Sequence, residues 1–304
     1  MKKIVVLCGP TAVGKTKVAL DLAEKCNAEI VSADSGQVWK ELDIGTGKPT
    51  PADQKRVRHH LIDVVKPDEH FDVARYVELA DQAIADIQQR GKLPLIVGGT
   101  GMYIKILLHG LCEAPAQDKA LRKILEERIA KEGLPILFEE LKKVDPETAQ
   151  KIHSNDTTRV IRALEVYEIS GLPLSYFHKE HGFKEPRYQA LQIGLTCEKK
   201  ILHQRIEKRV DWMIASGWTE EVRELFRFYS ADMQSIRATL GYPQITAHLR
   251  GQISLEEAAA EIKKLTRQYA KRQMTWFRAD KNIRWVEATT FQDATELAGL
   301  CNSI

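Results

Sequence analysis

Gly9-Pro10-Thr11-Ala12-Val13-Gly14-Lys15-Thr16 has the residue types and spacing needed to hold phosphate. Its glycines let the backbone curl until successive N–H groups converge on phosphate oxygens. Lys15 adds a point charge, and the Thr16 hydroxyl can ligate magnesium. A strand-like apolar run, Ile4 to Leu7, precedes the loop and residues with helical spacing follow it, so a helix N-terminus faces the same anion. The G-x-x-x-x-G-K-T pattern in a strand-loop-helix setting reads as a P-loop rather than an incidental glycine-rich turn. By itself it leaves open whether phosphate is transferred, hydrolysed or lost as a leaving group.

Three further clusters can act on the same anion. In "IVSADSGQVW", Asp34, Ser35 and Gln37 fall where a second strand should end. Asp34 there either holds magnesium through water, removes a proton from a bound nucleophile, or merely caps the strand. In "LIVGGTGMY", Gly98 and Gly99 permit close backbone approach and the Thr100 hydroxyl opens a helix, either to bind an oxyanion or for steric reasons alone. In "ILHQRIEKRVDWM", the stripe Leu202, Ile206, Val210, Met213 leaves Arg205 and Arg209 one turn apart. Two guanidinium groups at that spacing can clamp a diphosphate, or they belong to a solvated face. His59-His60 and the pair His178/His181 lack the accompanying cysteines or carboxylates of a metal site.

Strands and helices must position these groups. Apolar strands Ile4 to Cys8, Glu29 to Ser32, Leu61 to Val65 and Leu93 to Val97 alternate with helical stretches, among them Asp72 to Arg90 with Asp72 as cap. Such alternation predicts an α/β fold, a parallel sheet with flanking helices, with ligands at the carboxyl ends of the strands. After "LHGLCEAPAQD" about seventy residues show helical spacing without a convincing strand, until "YQALQIGLT" (Tyr188 to Thr196) returns to the sheet. The expected division is a P-loop core of residues 1–112 and 188–304, with a late strand at Ile283 to Ala288, interrupted by a helical insert at residues 113–187.

Bulk composition narrows the class. The 304 residues are 43% hydrophobic, enough for a large core, and no apolar run approaches the ~18 residues of a membrane span. The start "MKKIVVLCGP" resembles a signal peptide briefly, but its apolar run is short and leads into the P-loop. Cys8, Cys26, Cys112, Cys197 and Cys301 are scattered and odd in number, as expected of reduced cytosolic thiols. Net charge is only +3, yet residues 263–284 hold eight basic side chains against Asp280 alone. Lys264, Arg267, Lys271 and Arg278 share one helical arc there, with Tyr269, Trp276 and Phe277 interleaved. Basic and aromatic residues mixed in this way suit an RNA backbone with accessible bases, or form a solvated helix with one buried side.

Read in order, "GPTAVGKT", "SADSGQVW", "DIGTGKP", "HHLIDV", "VGGTGMY", "NDTTRVIRALEV", "ASGWTEEV", "GYPQ" and "TRQYAKRQMTWFR" resemble the tRNA dimethylallyltransferase (tRNA isopentenyltransferase) family, bacterial type, over nearly the whole chain. The resemblance implies a P-loop NTPase-like fold with an inserted all-helical tRNA-binding domain. It implies that dimethylallyl diphosphate lies in the P-loop and that its five-carbon chain passes to the exocyclic amine of the adenosine just 3′ of the anticodon. By the family's pattern Asp34 accepts the amine proton, Thr100 and one of Arg205 and Arg209 hold the diphosphate, and Thr16 ligates Mg2+. The anticodon stem-loop would meet Asp34, Ser35, Gly36 and Gln37, Thr100 and Arg122, and Thr158, Arg159, Val160, Ile161 and Arg162. Lys264, Arg267 and Lys271 complete the expected tRNA surface.

Two positions depart from the pattern: Trp39 stands where tyrosine is usual, and Pro243 where a basic residue is common. These residues carry no zinc-finger pattern of the kind that trails eukaryotic relatives, and the expectation is a bacterial-type, cytoplasmic, monomeric enzyme. A P-loop kinase of a nucleoside or other small molecule remains the alternative, with Asp34 orienting the acceptor and the insert as a lid. Neither the guanine-reading "NKxD" nor a hydrophobic strand ending in Asp-Glu is present, which sets aside a nucleotide-driven switch.

Overall fold

Aliphatic and β-branched residues crowd the short segments that become strands, and in the computed structural model these form a six-stranded, all-parallel sheet. Residues 2–288 and 295–301 are described. The chain begins β1 (Lys2–Cys8), α1 (Lys15–Lys25), β2 (Ala28–Ala33), α2 (Pro51–Arg56), β3 (His59–His60), α3 (Val73–Gln89), β4 (Leu93–Gly98) and α4 (Gly101–His109). Next come α5 (Lys119–Glu132), α6 (Leu134–Val144), α7 (Pro146–Lys151), α8 (Thr157–Ser170) and α9 (Leu174–His181). The last part runs β5 (Tyr188–Thr196), α10 (Lys199–Ala215), α11 (Trp218–Phe228), α12 (Gln234–Ala238), α13 (Tyr242–Leu249), α14 (Leu255–Arg278), β6 (Arg284–Glu287) and α15 (Thr295–Cys301).

Two compact units emerge, residues 1–108 with 187–304, and residues 109–186. In the first, the strand order is β3-β2-β4-β1-β5-β6. The central β1 shows why: Ile4, Val5, Val6 and Leu7 are all fully buried, so both faces of the strand are covered. Val5 and Leu7 share a core cluster with Leu20 and Leu22 of α1 and with Ile193 and Leu195 of β5. The carboxylate of Asp72 caps α3 by accepting from the Arg75 N–H at 3.0 Å. Ser254 and Glu257 form a capping box that starts the 24-residue α14.

The predicted strand Leu61 to Val65 does not form. Leu61 and Asp63 adopt positive φ (62° and 56°), which breaks an extended run, and pairing is confined to His59–His60 and a bridge between Trp39 and Val65. His60 Nε2 instead meets the buried Glu29 carboxylate at 2.8 Å, and His59 Nδ1 meets the Val57 carbonyl at 2.8 Å.

The second unit is helical, with a core of Leu125, Leu137, Phe138, Leu141, Val160, Ile161 and Leu164. Asp145, fully buried, caps α7 through Thr148 N–H (3.0 Å) and reaches Ser175 N–H of α9 (3.0 Å). Glu165 is equally buried and accepts from Arg122 Nε (3.0 Å), Arg162 Nη1 (2.7 Å) and the Asp118 N–H (2.8 Å). Burial alone would raise its pKa; the hydrogen bonds from Arg122 and Arg162 outweigh that and hold its carboxyl below the usual range.

Candidate active site

Register in the sheet gathers the chemistry. Cys8 at the end of β1 and Ala33 at the end of β2 both pair with Gly98 at the end of β4. The segments that leave these three ends therefore emerge side by side: the P-loop, Asp34 with Ser35, and Gly99 with Thr100. The last two touch, since the Thr100 hydroxyl accepts from the Ser35 N–H at 3.0 Å.

The P-loop is shaped by its backbone. Gly9 has φ of 143°, and a Cβ there would lie 2.6 Å from the Leu195 carbonyl oxygen of β5, so only glycine fits. Ala12 is held at φ 63° and Gly14 at φ 107°, left-handed turns of the kind that curl a loop's N–H groups toward an anion. Lys15 Nζ donates to the carbonyls of Gly9 (2.9 Å) and Pro10 (2.8 Å). Protein packed around that ammonium displaces water and pushes its pKa down to about 8, with Asp34 opposing the shift and Arg209 adding to it.

Asp34 is fixed by its own turn: Oδ1 accepts from the N–H of Gly36 (2.9 Å) and of Gln37 (3.4 Å). On α10 the buried stripe Leu202, Ile206, Val210, Met213 fixes the helix face, and Arg205 and Arg209 flank it. Arg205 Nη1 donates to the Val13 carbonyl of the P-loop at 2.8 Å. Arg209 makes a longer bond, 3.4 Å, to the Thr46 carbonyl. Burial disfavours its charge, and Asp34 favours it.

Thr46 belongs to a loop anchored from below. The Glu221 carboxylate accepts from the N–H groups of Asp43 (2.9 Å), Ile44 (2.6 Å) and Gly45 (3.4 Å) and from the Tyr242 hydroxyl (2.7 Å). Its pKa is raised by burial. Lys48 ties the far side of the loop through Asp43 and Asp63, each at 2.5 Å.

The P-loop, Asp34 with Ser35, and Arg205 with Arg209 line one cavity of about 630 Å³; Thr100 stands behind that lining, bonded to Ser35. Lys15, Thr16, Asp34, Arg205 and Arg209 supply its polar wall, and Phe71, Val210, Met213, Trp218 and Ile262 an apolar one. Among the described residues no three His, Cys, Asp or Glu side chains gather as a metal cage. The donors facing the cavity, the Thr16 hydroxyl and Asp34, suit a magnesium ion whose remaining sites are filled by water and substrate phosphate.

Other candidates fall elsewhere. Arg122, Thr158, Arg159 and Arg162 lie in the helical unit, with Thr158 and Arg159 exposed. Val160 and Ile161 are in that unit's core, at 0% and 5% exposure, so of this stretch only the polar residues reach the surface. On α14, Lys264 and Lys271 are exposed, Lys264 pairing with Glu261 and Arg267 with Glu207.

Composition and motif spacing missed Gln273 as a site residue. Ile262, Thr266, Ala270, Gln273 and Phe277 form the buried stripe of α14, so an amide at one of its positions is the signal that was available. Tyr269 lies one turn before Gln273; burial pushes its pKa up to about 12. Arg272 lines the same cavity.

Comparison with known proteins bears on this cavity. The profile of the IPP transferase family matches residues 37–280. A "tRNA dimethylallyltransferase 2" from Geotalea daltonii is 48% identical over 303 residues, covering 99% of this chain and 91% of that one. A tRNA dimethylallyltransferase from Geobacter metallireducens is 49% identical over 286 residues, covering 94% and 92%. The crystal structure of a tRNA isopentenylpyrophosphate transferase from Bacillus halodurans superposes with a TM-score of 0.74 at 38% identity, covering 100% of this chain and 95% of that one. A eukaryotic dimethylallyltransferase solved acting on tRNA gives 0.80 at 29% identity, covering 95% and 75%.

Proposed function

The chain belongs to the IPP transferase family, and from that premise we propose that it moves the dimethylallyl group of dimethylallyl diphosphate onto the exocyclic amine of the adenosine just 3′ of the anticodon in tRNA. The observation that carries the reading is the shared cavity, in which a phosphate cradle, two guanidinium groups and a strand-end carboxylate face an apolar wall. A phosphate cradle alone fits many reactions. The apolar wall of Val210, Met213 and Ile262 fits a five-carbon tail, which a simple nucleotide kinase has no reason to enclose.

An adenine amine is a poor nucleophile, because its lone pair is delocalised into the ring. Attack on the allylic carbon therefore depends on alignment and on charge neutralisation at the departing diphosphate. In this reading the bond from nitrogen to C1 forms as the C1–oxygen bond breaks, and the bonding pair leaves with diphosphate. Lys15, the P-loop N–H groups, Thr100 and one of Arg205 and Arg209 receive that charge. Asp34 takes the amine proton. Mg2+, held by Thr16, would add positive charge against the diphosphate. The target base must first leave the anticodon stack, at a cost of a few kcal/mol, offset by backbone contacts to Lys264, Arg267, Lys271 and the basic residues Arg122, Arg159 and Arg162.

The same reading makes the protein a cytoplasmic monomer, and its five free thiols suit a reducing compartment. The relatives argue against the kinase alternative. The test is to incubate protein, unmodified tRNA, magnesium and dimethylallyl diphosphate, digest the RNA and weigh its nucleosides. An adenosine heavier by one dimethylallyl group is the expected product. Its absence, with label passing from gamma-labelled ATP to a nucleoside, would restore the kinase.

A further inference from the structure

α14 carries basic residues on its exposed side, yet its buried side reaches into the donor end of the cavity. Gln273 is 6% exposed and sits between two backbone segments that are distant in sequence. Its Oε1 accepts from the Thr11 N–H at 2.8 Å, and its Nε2 donates to the Gly99 carbonyl at 2.9 Å. A Cβ on Gly99 would collide with that same Nε2, so the turn has no side chain where the amide must approach. Tyr269, one helical turn away, lines the same cavity as Gln273.

We propose that Gln273 is a positioning residue for the prenyl donor, its amide bolting the crest of the P-loop to the Gly98-Gly99 turn so that Lys15 and Thr100 close on one diphosphate. This rests on the function proposed above. The amide is suited to the task because it accepts on one atom and donates on the other, and here it does both with backbone groups. Glutamate would accept from Thr11 but set a second oxygen, and a charge, against the Gly99 carbonyl and the incoming anion. Methionine keeps the length and leaves both backbone groups unpaired. The consequence is a division of labour on one helix: its buried amide serves the donor and its exposed cations face the nucleic acid.

The test is steady-state kinetics of Gln273→Met and Gln273→Glu, with each substrate varied at saturating levels of the other and melting temperatures measured alongside. The donor KM is expected to rise tenfold or more, which is ~1.4 kcal/mol or more, and further in Gln273→Glu, while the KM for tRNA stays within about threefold. A donor KM within twofold of wild type in both variants overturns the proposal, and so does a tRNA KM that rises as much as the donor KM. Should Gln273→Met fail to fold, Gln273→Asn, one methylene too short to span the gap, makes the same comparison. If wild-type protein prenylates nothing, the parent reading falls, and Gln273 is then judged by titration with inorganic diphosphate: weaker binding in the variants supports it, equal binding overturns it.

Discussion

Lys15→Met is expected to make the free protein sturdier while destroying its hold on the donor. The ordinary lysine pKa of about 10.4 is pushed down to about 8 at Lys15 by the protein packed around it. A cation depressed in this way binds fewer protons folded than unfolded, so while charged it weakens the fold. The penalty is complete below a pH of about 8 and fades as the pH climbs toward about 10.4, where the unfolded chain loses the same proton. It amounts to ~3 kcal/mol, at ~1.4 kcal/mol for each pH unit separating the two values. Against it stand the hydrogen bonds to the Gly9 and Pro10 carbonyls, together ~2 kcal/mol. Methionine, uncharged and of similar reach, loses both effects. Its net advantage in urea unfolding should be ~1 kcal/mol at pH near 7, vanish at roughly pH 9 and reverse by about pH 10. Diphosphate binding by the variant should be lost throughout. A stability difference that stays flat across that range would refute the reasoning.

The remaining expectations concern the proton, the anion and the helical unit. Asp34→Ala should lower turnover by ~10²-fold or more with donor binding near normal, and turnover within a factor of two of wild type in a rapid-quench assay would remove it from the base role. Arg205 is committed to the Val13 carbonyl at 2.8 Å whereas Arg209 has only a 3.4 Å bond to Thr46. Arg209→Ala should therefore cost ~10²-fold in kcat/KM for the donor and Arg205→Ala clearly less; the opposite ranking would contradict the assignment of Arg209 as the diphosphate clamp. Glu165→Ala strands two guanidinium groups around a buried site and should destabilise the helical unit by ~3 kcal/mol, read as early loss of its helical signal in a thermal melt, with tRNA affinity falling as Arg122 and Arg162 lose their orientation.

Much of the fold was legible because its strands are short aliphatic runs bounded by loop residues. Tyr188–Thr196 alternates cleanly, and Asp72 announces the helix it caps. The run from Leu61 to Val65 misled because hydrophobicity reports burial, whereas strand pairing also needs extended φ, and two positive-φ residues deny it. The P-loop, Asp34 and Thr100 were legible because each occupies a strand end, a place that sequence order alone locates. The third dimension was not. That Cys8 and Ala33 share Gly98 as partner follows from strand order, and no local pattern encodes it. Gln273 and Glu221 were overlooked for a related reason. Each is a polar side chain whose backbone partners lie more than 170 residues away.

The chain departs from the sheet unit after Leu108 and returns at Arg187, and there the Arg187 N–H donates to the Leu108 carbonyl at 2.8 Å. The doorway through which the helical block leaves and re-enters is thus latched shut by the core itself. Closing so long an excursion would otherwise cost chain entropy each time the core folded, a cost that grows only slowly with length. Because that cost rises so slowly, and because the bond at the threshold is made by the core and not by the block, blocks of different length can be exchanged at this point while the strands beneath keep their alignment. Versions of this scaffold with larger, smaller or differently charged blocks become easy steps for evolution, and for an engineer seeking to redirect the same chemistry to another nucleic acid.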